Sequence, residues 1–278
     1  MNVRSRRWAV RALAVVTVAT AAPLIGAAAQ AAITGTELRS TTLSIPGTSA
    51  ASGSVACSAG RRVTGGGFGH QSGLANSVLV DTARPAGATS WIVRARNTTA
   101  ISQQTNVSAV CSNQPSLTVR TTTVNLPPGG FAESTTTCPG GFNLGGGYAL
   151  DQPMASSAMT IMWSRPALAG QGWNVRAANG TAAARQLTVY ATCAPAIAGR
   201  EVVTATQVVA PLTGSSVIAS CPAGKVVTAG GWATGAFDRW LAYNSGPAST
   251  SSWTVRFHNS HPSITYGLVT YAVCATGT

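Results

Sequence analysis

The sequence predicts an all-β protein made of three copies of one unit, and three observations carry that prediction. Six cysteines fall into three pairs of nearly equal spacing, Cys57/Cys111, Cys138/Cys193 and Cys221/Cys274. Each pair encloses the same text: a glycine run ending in an aromatic residue, a Trp-x-Val-Arg motif, and a run into the second cysteine. Beyond residue 31 no segment combines a 3.6-residue apolar period with helix caps, whereas Thr, Val and aromatic residues alternate over short runs between turn residues.

The 278-residue chain begins with a basic stretch holding Arg4, Arg6, Arg7 and Arg11, then an apolar run from Ala12 to Ile25, then Ala29, Gln30 and Ala31. That order is the order of an export signal with a small-x-small cleavage site, which places a signal peptide over residues 1–31. Ser5, Arg6 and Arg7 hint at a twin-arginine signal, but the residues after them fit it poorly and general secretion is preferred. Pro23 and Gly26 interrupt the run, so no membrane span is expected once the leader is removed. The formal charge is +12; the four leader arginines account for part of it, and +8 remains on the exported part. Such a balance suits anionic partners such as a cell-wall polymer. No run of adjacent basic residues exceeds Arg61 and Arg62, which argues against a nucleic-acid partner.

The three units run over residues 32–116, 117–198 and 199–278. Gly65, Gly66, Gly67 and Phe68 of the first align with Gly145, Gly146, Gly147 and Tyr148, and with Ala229, Gly230, Gly231 and Trp232. Arg84 and Pro85 align with Arg165 and Pro166, and with Gly246 and Pro247. Trp91, Val93 and Arg94 align with Trp173, Val175 and Arg176, and with Trp253, Val255 and Arg256. An internal repeat of about eighty residues is the mark of a repeat architecture. An even cysteine count in an exported chain predicts disulfides, and repetition assigns them one per unit: 57–111, 138–193 and 221–274. Cys-x-x-Cys and Cys/His clusters are missing from the sequence, so neither a metal nor another cofactor is expected.

Two architectures suit three such units: a β-prism-like arrangement of three sheets about one axis, or three tandem small β-sandwich units, each stapled by its disulfide. The glycines favour the prism. Glycine weakens a strand interior unless another backbone must come close. Gly65, Gly66, Gly67 and their counterparts are therefore expected to face the centre between repeats, and Gly66→Val to disrupt folding. Phe68, Tyr148 and Trp232 are expected in the core.

The Cys-Pro-x-Gly, Gly-Gly-Gly-aromatic, Trp-x-Val and Tyr-Ala-x-Cys spacing resembles repeats in secreted actinobacterial proteins of uncharacterised function. More distantly it is similar to the three-fold β-prism of vitelline membrane outer layer proteins. The first resemblance implies a secreted repeat protein; the second implies a topology. Jacalin-like lectins are also β-prisms, but their Gly-x-x-x-Asp sugar loop has no match in Ala275, Thr276, Gly277 and Thr278.

Chemistry-bearing residues are sparse. The exported part has six carboxylates, Glu37, Asp81, Glu133, Asp151, Glu201 and Asp238, and three histidines, His70, His258 and His261. None of the carboxylates recurs in all three units, and nucleophile-elbow, zincin and P-loop motifs are absent from the sequence. No catalytic residue is assigned and an enzyme is the less favoured reading. His70 and Asp151 occupy matching positions, with Thr234 in the third unit, which reads as a variable strand end. Strand alternation puts Arg94, Arg176 and Arg256 outward at equivalent places, candidates for an anionic ligand or ordinary solvated charges. Trp163, Trp240 and Tyr243 fall outside the Trp-x-Val pattern and are candidates to stack on sugar rings. The expectation is an extracellular binding module for a glycan or an anionic cell-wall polymer. Its rivals are a secreted hydrolase using a carboxylate pair from Asp81, Asp151 and Asp238, and a structural coat or matrix protein without a discrete site.

Overall fold

Short β-branched runs punctuated by turns lay down six strands in every unit. A computed structural model describes residues 30–70, 77–114, 116–154, 158–167, 170–235 and 240–278, with residues 240 and 241 described by backbone alone. The leader read over residues 1–31 falls outside the described residues except for its last two. Unit 1 supplies β1 (Glu37–Ile45), β2 (Ala50–Ala56), β3 (Arg62–His70), β4 (Val78–Pro85), β5 (Ser90–Asn97) and β6 (Gln103–Ser112). Unit 2 supplies β7 (Thr118–Leu126), β8 (Gly130–Thr137), β9 (Phe142–Leu150), β10 (Met159–Pro166), β11 (Gly172–Asn179) and β12 (Arg185–Ala194). Unit 3 supplies β13 (Glu201–Val209), β14 (Gly214–Ser220), β15 (Lys225–Thr234), β16 (Trp240–Ser249), β17 (Ser252–Asn259) and β18 (Tyr266–Thr276).

These strands form three six-stranded sheets, and no unit owns one. The orders are β2-β5-β4-β9-β12-β7, β8-β11-β10-β15-β18-β13 and β14-β17-β16-β3-β6-β1. Each sheet joins half of one unit to half of the next, so we call them the 1–2, 2–3 and 3–1 sheets. The joints are short antiparallel pairings: Thr82 with Ala149, Trp163 with Ala233, and Asn244 with Gly69. Three tandem sandwiches are thereby excluded, because every sheet needs two units to exist. The closure is the β-prism-like arrangement expected from the glycines.

Each position of the glycine run meets a different obstacle. A Cβ on Gly65 or Gly145 would run into the Ala229 methyl, so these three positions converge on the centre and leave room for one methyl. A Cβ on Gly66, Gly146 or Gly230 would collide with Trp91, Trp173 or Trp253, the buried tryptophan of the same unit. A Cβ on Gly67, Gly147 or Gly231 would strike the backbone oxygen of Ser245, Ala83 or Ser164, on the strand that crosses from the neighbouring unit. The run thus serves the axis, the core and the joint in turn.

One-residue bulges re-aim two side chains per unit. The first set, in β3, β9 and β15, turns Thr64, Leu144 and Thr228 inward. The Thr64 hydroxyl donates to the Thr228 carbonyl (2.8 Å), and the Thr228 hydroxyl to the Leu144 carbonyl (2.7 Å); leucine, lacking a hydroxyl, cannot complete the ring. Ile33, Leu117 and Ile197, each from the segment just before the first strand of a unit, pack with Leu144 as an apolar plug. On the same axis Phe68 and Tyr148 set their rings edge-on to Trp232, at 5.9 and 6.1 Å. The second set of bulges, in β4, β10 and β16, holds Asp81, Met162 and Tyr243.

The disulfides pair as repetition requires, Cys57–Cys111, Cys138–Cys193 and Cys221–Cys274, and close loops of 54, 55 and 53 residues. Loop entropy alone assigns each up to about 4 kcal/mol. Among the described residues no helix is long and apolar enough to cross a membrane.

Candidate functional site

The outer faces of the three sheets share one frame but carry different side chains, and the 1–2 face forms a cleft of about 270 Å³. Its lining alternates across five strands: Ser52 on β2, Ile92 and Arg94 on β5, Thr82 and Arg84 on β4, Ala149 and Leu150 on β9, Thr188 and Tyr190 on β12. Asp151, exposed just past β9, stands at its rim. The cleft exists because small residues occupy the joint. Thr82 and Ala149 face each other there, and Gly147 leaves open the space between Arg84 and Tyr190. A Cβ on Gly147 would lie 3.0 Å from the Arg84 Cα. Arg84 instead lays its guanidinium over the Tyr190 ring, 5.1 Å from the centroid.

Arg94 is fixed from beneath. The bulge in β4 turns Asp81 inward, where it is wholly buried, and its Oδ1 accepts from Arg94 Nε and from the Thr82 hydroxyl (3.0 Å). The other carboxylate oxygen accepts from the Met154 N–H (3.2 Å), and Arg94 Nη2 donates to the Leu150 carbonyl (2.7 Å). Burial pushes the Asp81 carboxyl above its ordinary range; Arg94, Thr82 and Met154 oppose that push without cancelling it. Among the described residues Arg94 Nη1 has no hydrogen-bond partner, and Arg94 lines the cleft. The cleft therefore offers arginine donors, four hydroxyl side chains, one carboxylate acceptor at the rim and apolar contact from Ile92, Ala149, Leu150 and the Tyr190 ring.

On the 2–3 face the same frame is filled. Trp163 takes the place of Thr82, Arg165 that of Arg84, Asn174 that of Ile92, Arg176 that of Arg94, and Tyr271 that of Tyr190. Trp163 is held through its indole N–H by Asn174, which in turn donates to Glu133 (3.0 Å) and Thr135 (2.9 Å). Both arginines lie over the Trp163 ring, at 5.3 Å for Arg165 and 5.0 Å for Arg176, and Arg176 also lies 4.0 Å above Phe131. A raised ladder of aromatic rings and guanidinium groups stands where the 1–2 face is hollow. The 3–1 face is stripped instead: Gly246 and Ser108 stand where the others have arginine and tyrosine, and Arg256 is exposed.

The residues singled out from the sequence are thus distributed. Arg94 lines the 1–2 cleft, Arg176 stacks on the 2–3 face, and Arg256 projects from the 3–1 face, so the three arginines do not meet in one site. Trp163 is partly buried on the 2–3 face, while Tyr243 is the bulge residue of β16 in the 3–1 sheet. The Trp240 side chain lies outside the described residues, as does Asp238. His70, matched by position to Asp151, is buried in the 3–1 sheet between the Gln104 carbonyl (2.9 Å) and the Ser77 hydroxyl (2.8 Å). Burial lowers its readiness to protonate. Asp81 is buried behind Arg94 and does not line the cleft, whereas Asp151 stands at its rim, so the two form no carboxylate pair on its surface. Sequence reasoning missed Arg84 and Tyr190. The signal was available, since Arg84/Arg165/Gly246 and Tyr190/Tyr271/Ser108 separate two units from the third in the same way.

Comparison with protein-family models gives no match, and none is found among curated proteins. Among the described residues no group of three or more His, Cys, Asp or Glu side chains is placed to hold a metal ion.

Proposed function

We propose that the chain is a secreted, disulfide-stapled binding module that takes a saccharide in the cleft of the 1–2 face. The observation that carries this reading is the composition of the cleft. Arg94 is paired with Asp81 beneath the cleft, which leaves Arg84 and Asp151 as opposite charges on its lining, so the site offers donors and a carboxylate acceptor without a charge excess. Vicinal hydroxyls suit such a site, because each can donate to a carboxylate while accepting from a guanidinium. Tyr190 and Ile92 supply apolar contact for the faces of a sugar ring. Arg94 is locked before the ligand arrives, which reduces the ordering cost of binding. A carboxylate-pair hydrolase gains no support here, because Asp81 is buried and already engaged by three donors. The three disulfides, and the leader read from the sequence, support a module that works outside the cell.

The reading is tested on an array of neutral and acidic oligosaccharides. Binding to neutral sugars that disappears in both Arg84→Ala and Tyr190→Ala, while Arg256→Ala leaves it intact, supports the cleft. An array blank for the folded wild type removes the proposal.

A further inference from the structure

The cleft of the 1–2 face is the middle of a longer feature, because strand register aligns its floor with both edges of the sheet. Ser52 pairs with Arg94, Arg94 with Thr82, Thr82 with Ala149, Ala149 with Thr188, and Thr188 with Thr123. These residues form one row across all six strands, and every member from Ser52 to Thr188 lines the cleft. We infer that the row is the floor of an open-ended groove for a linear, uncharged polysaccharide that lies across the strands. Its end contacts are made by edge-strand hydroxyls outside the cleft, Ser54 on β2 and Thr121 and Thr123 on β7. The inference rests on the saccharide reading of the cleft and gives that ligand a length and a direction.

The ends of the row are open: β2 and β7 are the edge strands of this sheet, and Ser52, Ser54, Thr121 and Thr123 are all exposed. Six strands about 4.8 Å apart span about 24 Å, the length of several sugar units rather than one. The walls run the same way as the floor. On one side the next row carries Ile92 and Arg84, and ends in Ser54 on β2 and, past Tyr190, in Thr121 on β7. On the other side Leu150 and Asp151 bound the cleft. The floor itself is rich in hydroxyls and carries no net charge. Ser52, Thr82, Thr188 and Thr123 each bear a hydroxyl, and the one charged member, Arg94, is met by Asp81. The Thr123 and Thr188 hydroxyls bond each other at 2.9 Å, and each keeps capacity for a further partner. A neutral, hydroxyl-rich chain can exchange hydrogen bonds with such a row along its whole length. A polyanion would find on it a single arginine whose charge is already matched. On the 2–3 face the corresponding row is broken, since Glu133, Trp163 and Val269 stand where Ser52, Thr82 and Thr188 do here.

The test is calorimetric titration of the wild-type protein with the disaccharide and the hexasaccharide of three neutral series, cello-, xylo- and chito-oligosaccharides. In at least one series the hexasaccharide is expected to bind at least about tenfold more tightly than the disaccharide. Ser54→Ala and Thr123→Ala should each weaken that hexasaccharide about fivefold, the loss of one hydrogen bond, and leave the disaccharide within about twofold. Arg256→Gln on the 3–1 face should leave both within about twofold. Equal affinity for disaccharide and hexasaccharide in every series that binds overturns the groove, while the cleft stands as a site for a short saccharide. Unchanged hexasaccharide affinity in the Ser54→Ala/Thr123→Ala double variant also overturns it, as does an equal loss with Arg256→Gln. Absence of binding by all three hexasaccharides overturns it too, and a blank array of neutral and acidic sugars then removes the cleft reading separately. Near-ultraviolet circular dichroism and the melting temperature establish that each variant is folded before its affinity is read.

Discussion

The 1–2 and 2–3 faces are the same construction carried to opposite ends. Both set an arginine beside a tyrosine across a glycine, Arg84 with Tyr190 and Arg165 with Tyr271. Both place a second arginine on the neighbouring strand, Arg94 or Arg176. Two replacements separate them. Thr82 leaves a hollow that Trp163 fills, and Asp81 balances an arginine where Met162 cannot. The lesson is that the repeat fixes the backbone frame while single positions decide whether a face is concave or raised. The buried glycines and tryptophans are held constant by packing, and the outer positions beside the joint are free to diverge.

The comparison breaks first where both faces share their frame. Gly146→Val would drive its side chain into Trp173 and the Tyr190 carbonyl, and no neighbour there can move without opening the 2–3 and 1–2 sheets together. Loss of folding is expected, a cost above about 4 kcal/mol. Soluble protein with an unchanged melting curve would contradict the packing described. Next in size is Thr82→Trp, which should plug the cleft as Trp163 plugs its counterpart. Saccharide binding is expected to fall about 100-fold, roughly 3 kcal/mol, with little change in stability. Retained binding by calorimetry would show that the cleft is not the site.

Asp81→Asn sharpens the role of the buried charge. It keeps the shape but releases Arg94, and about tenfold weaker saccharide binding is expected. The pH dependence of stability should change as well. Because burial raises the Asp81 pKa in the folded chain, this carboxyl contributes stability fully present below its unfolded value and lost as pH rises through the folded value. Melting curves across that window should therefore slope less in Asp81→Asn than in the wild type. Identical slopes would mean that Asp81 titrates as it does unfolded.

The smallest effect concerns an unpaired indole. Trp173 and Trp253 donate to Ser164 (2.8 Å) and Ser245 (3.0 Å), while the matching Trp91 finds Ala83 and has no partner. Ala83→Ser is expected to raise stability by about 1 kcal/mol, read as a small rise in melting temperature. A fall instead would show that the site around Ala83 is too tight to accept an oxygen.

The frame was largely legible in the sequence, because packing constraints recur with the repeat: the glycine runs, the buried Trp91, Trp173 and Trp253, and the disulfide pairs all stand at matching positions. The faces were not. Period-two alternation points Arg94 outward correctly, but it cannot show that β4 leaves unit 1 to pair with β9 of unit 2. That exchange puts Arg84 beside Tyr190 and separates Trp163 from Tyr243, which the sequence had grouped. The bulge at Asp81 also interrupts the alternation, hiding the carboxylate that holds Arg94.

One array experiment reaches the central claim, that a shared frame becomes a binding face where the joint leaves a hollow. Neutral oligosaccharides would be probed in parallel with the wild type, Thr82→Trp and Arg256→Gln. The expected pattern is that folded Thr82→Trp loses the neutral sugars and Arg256→Gln keeps them. Equal binding by the wild type and folded Thr82→Trp would contradict it.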